Sequence, residues 1–407
     1  MRRALDLALL LAASLSLACV AGDLEGAPAV GNQAPSDDPA EYPEVTGEYE
    51  TLDASEPQWL IPGPDIPSEL KVQPSNNNVD IHFFEDQLFL AWRTAPYHFA
   101  DPAAQLLVMA SSAGEQDWSP SLVVSHGSDV REPRLYDAQG QLHLMYFEAG
   151  VEPTAFEPKA TWLRSRDHDG QWGAPTLLFD EVEVPWDIKE RGGRLYLTSY
   201  VGGHYQDATA EPLELRFRQS EDGVTWSSVG AGPTVYSGGV SEAAFEFDQA
   251  GDLWAVTRNE DCDSTGCGSH VCFAKAEALG DWDCSEASDP RRFDSPELFR
   301  YGSEIFVAAR RNLGETFGPE GDLLAYSLTP KTTAIYRIER DVRQLVHIMD
   351  LPGTGDTAFP AIRRLDAHRF LLANYTSPVD QPELSWLDGQ ISPEGTSIYL
   401  LELSFMP

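Results

Sequence analysis

The chain has 407 residues, with 65 Asp or Glu against 28 Lys or Arg and a formal charge of −37. Nucleic acid is held through clustered Lys and Arg, so this balance argues strongly against a nucleic-acid partner. The surplus of acid bears on solubility rather than fold, and the ten Trp suit both β packing and contact with sugars.

At the N-terminus, Arg2 and Arg3 precede an apolar run from Leu7 to Leu17, which ends at Leu17-Ala18-Cys19. A positive start, a short apolar core and a small-residue exit describe an export signal, whereas a membrane span needs about 20 apolar residues. Ser16-Leu17-Ala18-Cys19 resembles the lipobox of bacterial lipoproteins, although Ser16 stands where that family prefers Leu. The resemblance implies lipidation of Cys19 and an outer-membrane or cell-surface location, with plain secretion as the alternative. Residues 1–19 are thus expected to be the signal, and 20–68 a flexible Pro, Gly and acid-rich tether with no sustained apolar period. The only expected membrane contact is that lipid anchor.

From residue 69 onward one pattern occurs six times: a turn with Gly or Asp, then an alternating apolar strand ending in a large polar or aromatic residue. The copies are Asp86 to Arg93, Gly140 to Phe147, Gly193 to Tyr200, Gly251 to Arg258, Gly302 to Arg310 and Ala367 to Tyr375, with ends 54, 53, 58, 52 and 65 residues apart. A short strand precedes each copy, as in Pro133 to Asp137 or Ala244 to Asp248. A third strand with a Trp turn follows in most units: Leu106 to Ser111 with Trp118, Thr161 to Ser165 with Trp172, and Leu213 to Ser220 with Trp226. Leu122 to Val124 is a fourth strand. The pattern predicts an all-β, six-bladed propeller of four-stranded antiparallel blades over 69–407. The longest interval is assigned to an insertion in the fifth blade around Thr329 to Gln344.

Cys262, Cys267, Cys272 and Cys284 fall within one short stretch. In an oxidising compartment they read as two disulfides with three possible pairings. Zinc is the competing reading, but no C-x-x-C spacing is present and only His270 lies nearby.

Ser220-Glu221-Asp222-Gly223-Val224-Thr225-Trp226 matches a shortened Asp-box, with degenerate copies at Ser165 to Trp172 and Ser112 to Trp118. Over roughly residues 75–405 the chain resembles the sialidase superfamily of Asp-box, or BNR-repeat, propellers. The box argues fold and not catalysis.

In such a blade the second strand returns to the axis, so its last residue meets the start of the first strand on one rim. Arg93, Arg258 and Arg310 then share a face, and guanidinium groups suit a carboxylate. The sialidase resemblance implies that this triad, with Arg131 nearby, holds the carboxylate of sialic acid or a related acidic sugar. It further implies that Tyr375 is the nucleophile, Glu242 its carboxylate partner and Asp101 the general acid/base; Asp129 and Glu132 are rival acids. A neutral phenol avoids bringing a second anion toward an anionic sugar. The expected protein is an exo-acting, retaining glycosidase, monomeric, needing no metal or organic cofactor. The alternatives are a non-catalytic glycan-binding or scaffold lipoprotein, or a five-bladed arabinanase-type enzyme with three carboxylates.

Overall fold

The strand that carries each repeat is apolar on both faces, and this builds the architecture. Within Gln87–Ala95, Leu88, Leu90 and Trp92 enter one buried cluster while Phe89 and Ala91 enter another. Alternate side chains of a strand point to opposite faces, so such a strand must be covered on both, as happens when sheets pack side by side around an axis.

The computed structural model describes residues 49–406 except 113–116, 154, 156, 203–211, 315–316 and 318–320. The predicted signal with Cys19 and most of the predicted tether lie outside the described residues. Six antiparallel sheets form, one per repeat, with strands in chain order from the axis outward except at the outer edge of the sixth. The inner hairpins pair Ser75–Phe84 with Gln87–Ala95, Val130–Ala138 with Gln141–Glu148, and Val184–Glu190 with Leu195–Val201. They continue with Val240–Phe247 and Leu253–Asp263, Asp294–Tyr301 and Glu304–Asn312, and Ala361–Arg364 and Arg369–Thr376. The protein is an all-β, six-bladed propeller, and a five-bladed ring is excluded.

Two sequence boundaries need correction. The sixth blade takes its outer strand from the other end of the chain: Thr51–Ala54 pairs with Ser397–Met406, as does Gln58–Ile61. The propeller therefore begins before residue 69. These strands escape the sequence pattern because they are short and flanked by Pro and acid, and in Thr51–Ala54 only Leu52 is buried. In the fifth blade, Lys331–Glu339 and Gln344–Leu351 are regular third and fourth strands, so Thr329 to Gln344 is not an insertion. The extra length lies before it, around a helix at Leu323–Ser327 capped by Asp322, while a second helix, Trp386–Ile391, is added in the sixth blade.

Neighbouring blades are joined by aromatic packing and by side chains reaching across. Tyr301 and Phe405 stack at 4.0 Å beside Phe299, Phe306 and Phe370. A buried ring of this kind contributes roughly 2–3 kcal/mol. At the inner strands, Asp80 Oδ2 accepts the Leu135 N–H (2.6 Å), Asp187 Oδ2 that of Phe245 (2.9 Å) and Glu242 Oε2 that of Ser295 (2.8 Å). Each is a carboxylate of one blade satisfying a backbone donor of the next, which fixes the rotation between sheets.

The turn at Ser220 to Trp226 closes as its residues require. Asp222 Oδ1 accepts the N–H groups of Val224 (2.9 Å) and Thr225 (2.6 Å), bonds that pull its carboxyl down to about 2. Gly223 has φ +72°, and a Cβ there would lie 2.8 Å from the Ala138 Cβ. Asp167 makes the related bonds to Asp169 and Gln171 in the second blade.

Candidate functional site

The inner hairpin bends at its start in five blades. The pairing register jumps between Asn77 and Asp80, Arg131 and Arg134, Pro185 and Asp187, Val240 and Ala243, and Asp294 and Glu297. Asn78, Glu132 and Ser295 sit at these bulges in left-handed backbone (φ +47°, +54° and +51°), and Ala358 (φ +70°) holds the corresponding place before the sixth hairpin. A non-glycine residue in this region costs of order 1–3 kcal/mol and concentrates where backbone is shaped for use. The bulges face the ends of the second strands, where the sequence puts its candidate residues.

Those residues form a connected rim. Arg93 is fully buried: Nε donates to Asp129 Oδ1 (2.8 Å), and its terminal nitrogens donate to Asn77 Oδ1 (3.4 Å) and the Phe99 carbonyl (2.9 Å). Arg131 grips the other oxygen of Asp129, with Nε at 2.9 Å. Burial pushes the Asp129 carboxyl up, but Arg131 and Arg93 outweigh it and hold the group below its usual range. Phe147 and Tyr200 pack together with Val184 in an apolar sector.

On the opposite side, Arg258 meets Glu242 Oε1 (2.5 Å), Glu260 and Asp294 Oδ1 (3.2 Å). Arg310 donates to Asp294 Oδ2 (3.3 Å) and to the carbonyls of Thr357 (2.7 Å) and Ala358 (3.2 Å), under the Trp386 ring. Arg292 completes the group, bound to Asp294 and Glu260 and seated in the corner formed by the T-shaped rings of Phe317 and Tyr326, 4.3 Å from each. Against the rise that burial alone would cause, Arg258, Arg292 and Arg310 keep the Asp294 carboxyl low. Lys331, over the Tyr326 ring at 4.0 Å and bonded to carbonyl and hydroxyl oxygens, is pushed down to about 7 by burial and by Arg310.

Tyr375 lies between these halves. Its hydroxyl donates to Asp356 Oδ1 at 3.0 Å, and Asp356 Oδ2 lies 2.7 Å from His98 Nδ1. Burial and the Asp356 charge raise the phenol well above its ordinary value, while Arg310 pulls the other way. The Asp356 carboxyl stays low despite its burial because His98, Arg310 and the Tyr375 hydroxyl stabilise the anion. The helix Trp386–Ile391 packs directly over this acid: a Cβ on Gly389 would lie 2.2 Å from the Asp356 nitrogen, and the Gln390 carbonyl accepts the His98 N–H (3.2 Å). Tyr375 is only 2 % exposed beneath it.

The carboxylate that reaches the Tyr375 hydroxyl is therefore Asp356, whereas Glu242 engages Arg258 and the Ser295 N–H. Asp101 accepts the Ala103 N–H (2.7 Å) in its own turn and lies near Tyr97. Asp356, His98, Asp294, Glu260 and Arg292 were not singled out from sequence. One signal was available for the first: Asp129, Glu183 and Asp356 recur 17–19 positions before Phe147, Tyr200 and Tyr375.

The cysteine stretch forms two disulfides, Cys262–Cys267 and Cys272–Cys284. Cys267 packs with Phe317 and Tyr326, the residues that enclose Arg292. Such bonds argue for an oxidising, extracytoplasmic compartment. Among the described residues no helix is long and apolar enough to cross a membrane.

No family model matches the chain, and no curated protein matches it in sequence. Solved structures do match in fold. A protein of unknown function from Dyadobacter fermentans DSM 18053 aligns with TM-score 0.61 and 15 % identity, over 88 % of this chain and 100 % of that one. The endosialidase of phage phi92 aligns with TM-score 0.57 and 9 % identity, over 83 % and 68 %. An α-L-arabinanase from Penicillium chrysogenum, solved with arabinobiose, aligns with TM-score 0.52 and 12 % identity, over 86 % and 98 %. At these identities the likeness is one of fold: the chain is similar to propellers that include glycoside hydrolases.

Proposed function

We propose that this protein is an exported, sugar-active propeller that hydrolyses a glycoside through Tyr375. The observation that carries the reading is the hydrogen bond from the Tyr375 hydroxyl to the buried, ionised Asp356, beside Arg310 on the rim where the inner hairpins converge. A phenol is a poor nucleophile until a base takes its proton. As the Tyr375 oxygen attacks the anomeric carbon, its proton passes to Asp356, and the Arg310 charge steadies the oxygen that is losing it.

Sialosides are the finer form of this reading, from the sequence resemblance and from the rim position of Arg93, Arg258 and Arg310. Each of these arginines already engages an internal acid. An acidic sugar must therefore exchange one of those pairs for its own carboxylate, whereas a neutral sugar need not. Arabinosides and other neutral glycosides belong in the assay beside sialosides. Lipid anchoring through Cys19 remains part of the proposal, as does a monomeric state.

A specific observation favours a second reading, a non-catalytic glycan-binding protein: Arg93 and Tyr375 are sealed from solvent. Fluorogenic sialosides, arabinosides and hexosides incubated with the folded protein separate the two. Release of fluorophore that Tyr375→Phe abolishes supports the hydrolase; glycan binding without release, unchanged in Tyr375→Phe, supports the binder.

A further inference from the structure

Glu132 stands apart from the ion-paired acids of the rim. Asp129, Glu242, Glu260 and Asp294 are each paired with arginine, and Asp356 with His98. The Glu132 carboxyl instead accepts from a neutral amide, Asn78 Nδ2 to Oε2 at 3.2 Å, the one hydrogen bond recorded for it among the described residues. Its backbone is at φ +54°, the left-handed bulge that opens the second blade, and the side chain is only 9 % exposed. Asn78, its partner, occupies the matching bulge of the first blade and adjoins Asn77, which touches both Arg93 and His98.

We infer that Glu132 is the general acid/base of the site, the proton donor to the leaving group, in the role that the sequence resemblance gave to Asp101. The inference rests on the hydrolase reading above. In the first step the Glu132 carboxylic acid gives its proton to the glycosidic oxygen. The C–O bond breaks with its electron pair going to that oxygen, while the Tyr375 oxygen bonds the anomeric carbon and its proton moves to Asp356. In the second step water attacks the anomeric carbon and yields a proton to the Glu132 carboxylate. The bond to Tyr375 breaks with its pair on the phenolic oxygen, which recovers its proton from Asp356.

The surroundings supply the protonation state this needs. Burial is the main cause that lifts the Glu132 carboxyl to about 7, with the Glu242 and Asp129 charges adding to it against Arg134 and Arg131. A donor poised near the working pH is the effective kind, and neighbouring acids held at different values can take different roles. Arg134 is itself engaged with the rings of Trp186 and Phe359. Asp101 is held in its own turn by the Ala103 N–H.

The test compares wild type, Glu132→Gln and Asn78→Asp on two forms of whichever glycoside the wild type cleaves, one with a dinitrophenyl and one with a methyl leaving group. In Glu132→Gln the methyl glycoside should lose ~100- to 10,000-fold in kcat/KM. The dinitrophenyl glycoside, which needs no protonation, should lose far less, and azide should restore its turnover. Asn78→Asp keeps a residue that tolerates left-handed backbone and sets a second anion beside Glu132, so the alkaline limb of the pH profile should move up. Infrared difference titration should show a carboxyl titrating near pH 7 that Glu132→Gln removes. Equal losses on both leaving groups, no loss on either, an unmoved limb, or the absence of that titration overturns the assignment while leaving an active hydrolase. A folded wild type that cleaves no glycoside overturns the hydrolase reading and this assignment together.

Discussion

The Tyr375 hydroxyl and Asp356 Oδ1 lie 3.0 Å apart, 19 positions distant in sequence, and both belong to the sixth blade's approach to the rim. Substitution of either should have the same signature. Tyr375→Phe and Asp356→Asn are each expected to cut kcat by ~100-fold or more with little change in KM, because the first removes the attacking oxygen and the second its proton acceptor, and neither is a sugar-binding contact. Glu242→Gln should cost less in kcat than Asp356→Asn. Steady-state kinetics on one glycoside compare the three directly; a larger loss in Glu242→Gln would return the sequence's original pairing to favour.

Asp294 is the shared counter-charge of Arg258, Arg292 and Arg310. Its replacement by Asn leaves three buried guanidinium groups short of an anion, and breaking a buried ion pair costs about 3–5 kcal/mol. Urea denaturation should show this as a lowered midpoint with an unchanged slope.

Stability should have an optimum on the acid side of neutrality. Asp129, Asp294 and Asp356 are held ionised in the fold below the usual carboxylate range, so their contribution is complete above about pH 4 and is lost as pH falls further. Glu297, bonded to Lys189 at 2.7 Å near Asp187 and Arg363, behaves oppositely, since burial raises it to about 7. The folded state keeps a proton there that the unfolded chain releases, so stability declines as pH rises from about 4.5 to 7. Melting temperatures from pH 2 to 8 should trace both limbs, and Glu297→Gln should make the upper one shallower, the buried Glu132 carboxyl supplying the rest, while leaving the lower one unchanged.

The two disulfides should differ in weight. From loop length alone, opening Cys272–Cys284 costs about 3 kcal/mol and opening Cys262–Cys267 about 2 kcal/mol. Cys272 also belongs to the core with Phe245 and Ala255, so Cys272→Ala with Cys284→Ala should lower the melting temperature more. Loss of the other pair should act mainly on the Phe317 and Tyr326 cover of Arg292, read as a change in tyrosine fluorescence.

The six second strands were legible because burial on both faces writes a nearly continuous apolar run ending in one chosen residue, as from Leu88 to Arg93. The meeting of those ends on one rim was legible too, since it follows from blade geometry. What was not legible is which acid each rim residue touches. Asp356 reaches Tyr375 from a loop, and Asp294 meets Arg258 from the next blade, so these contacts depend on how sheets are rotated and not on spacing within one repeat. The Glu132 bulge left a faint mark: Pro133 and Pro296 each follow a left-handed residue and precede Arg134 and Glu297. A proline two or three positions into an inner strand signals a ladder bond that is not made.

Thr51 faces Met406 across the outer pair of the sixth blade. The first and last described strands thus lie side by side at a single spot on the circumference of the disc. A reporter or affinity label appended at the C-terminus would be attached at the same edge of the disc as residue 49. Presenting a cargo elsewhere on the perimeter calls for new ends cut into a connection between blades, with the old ones spliced by a few residues.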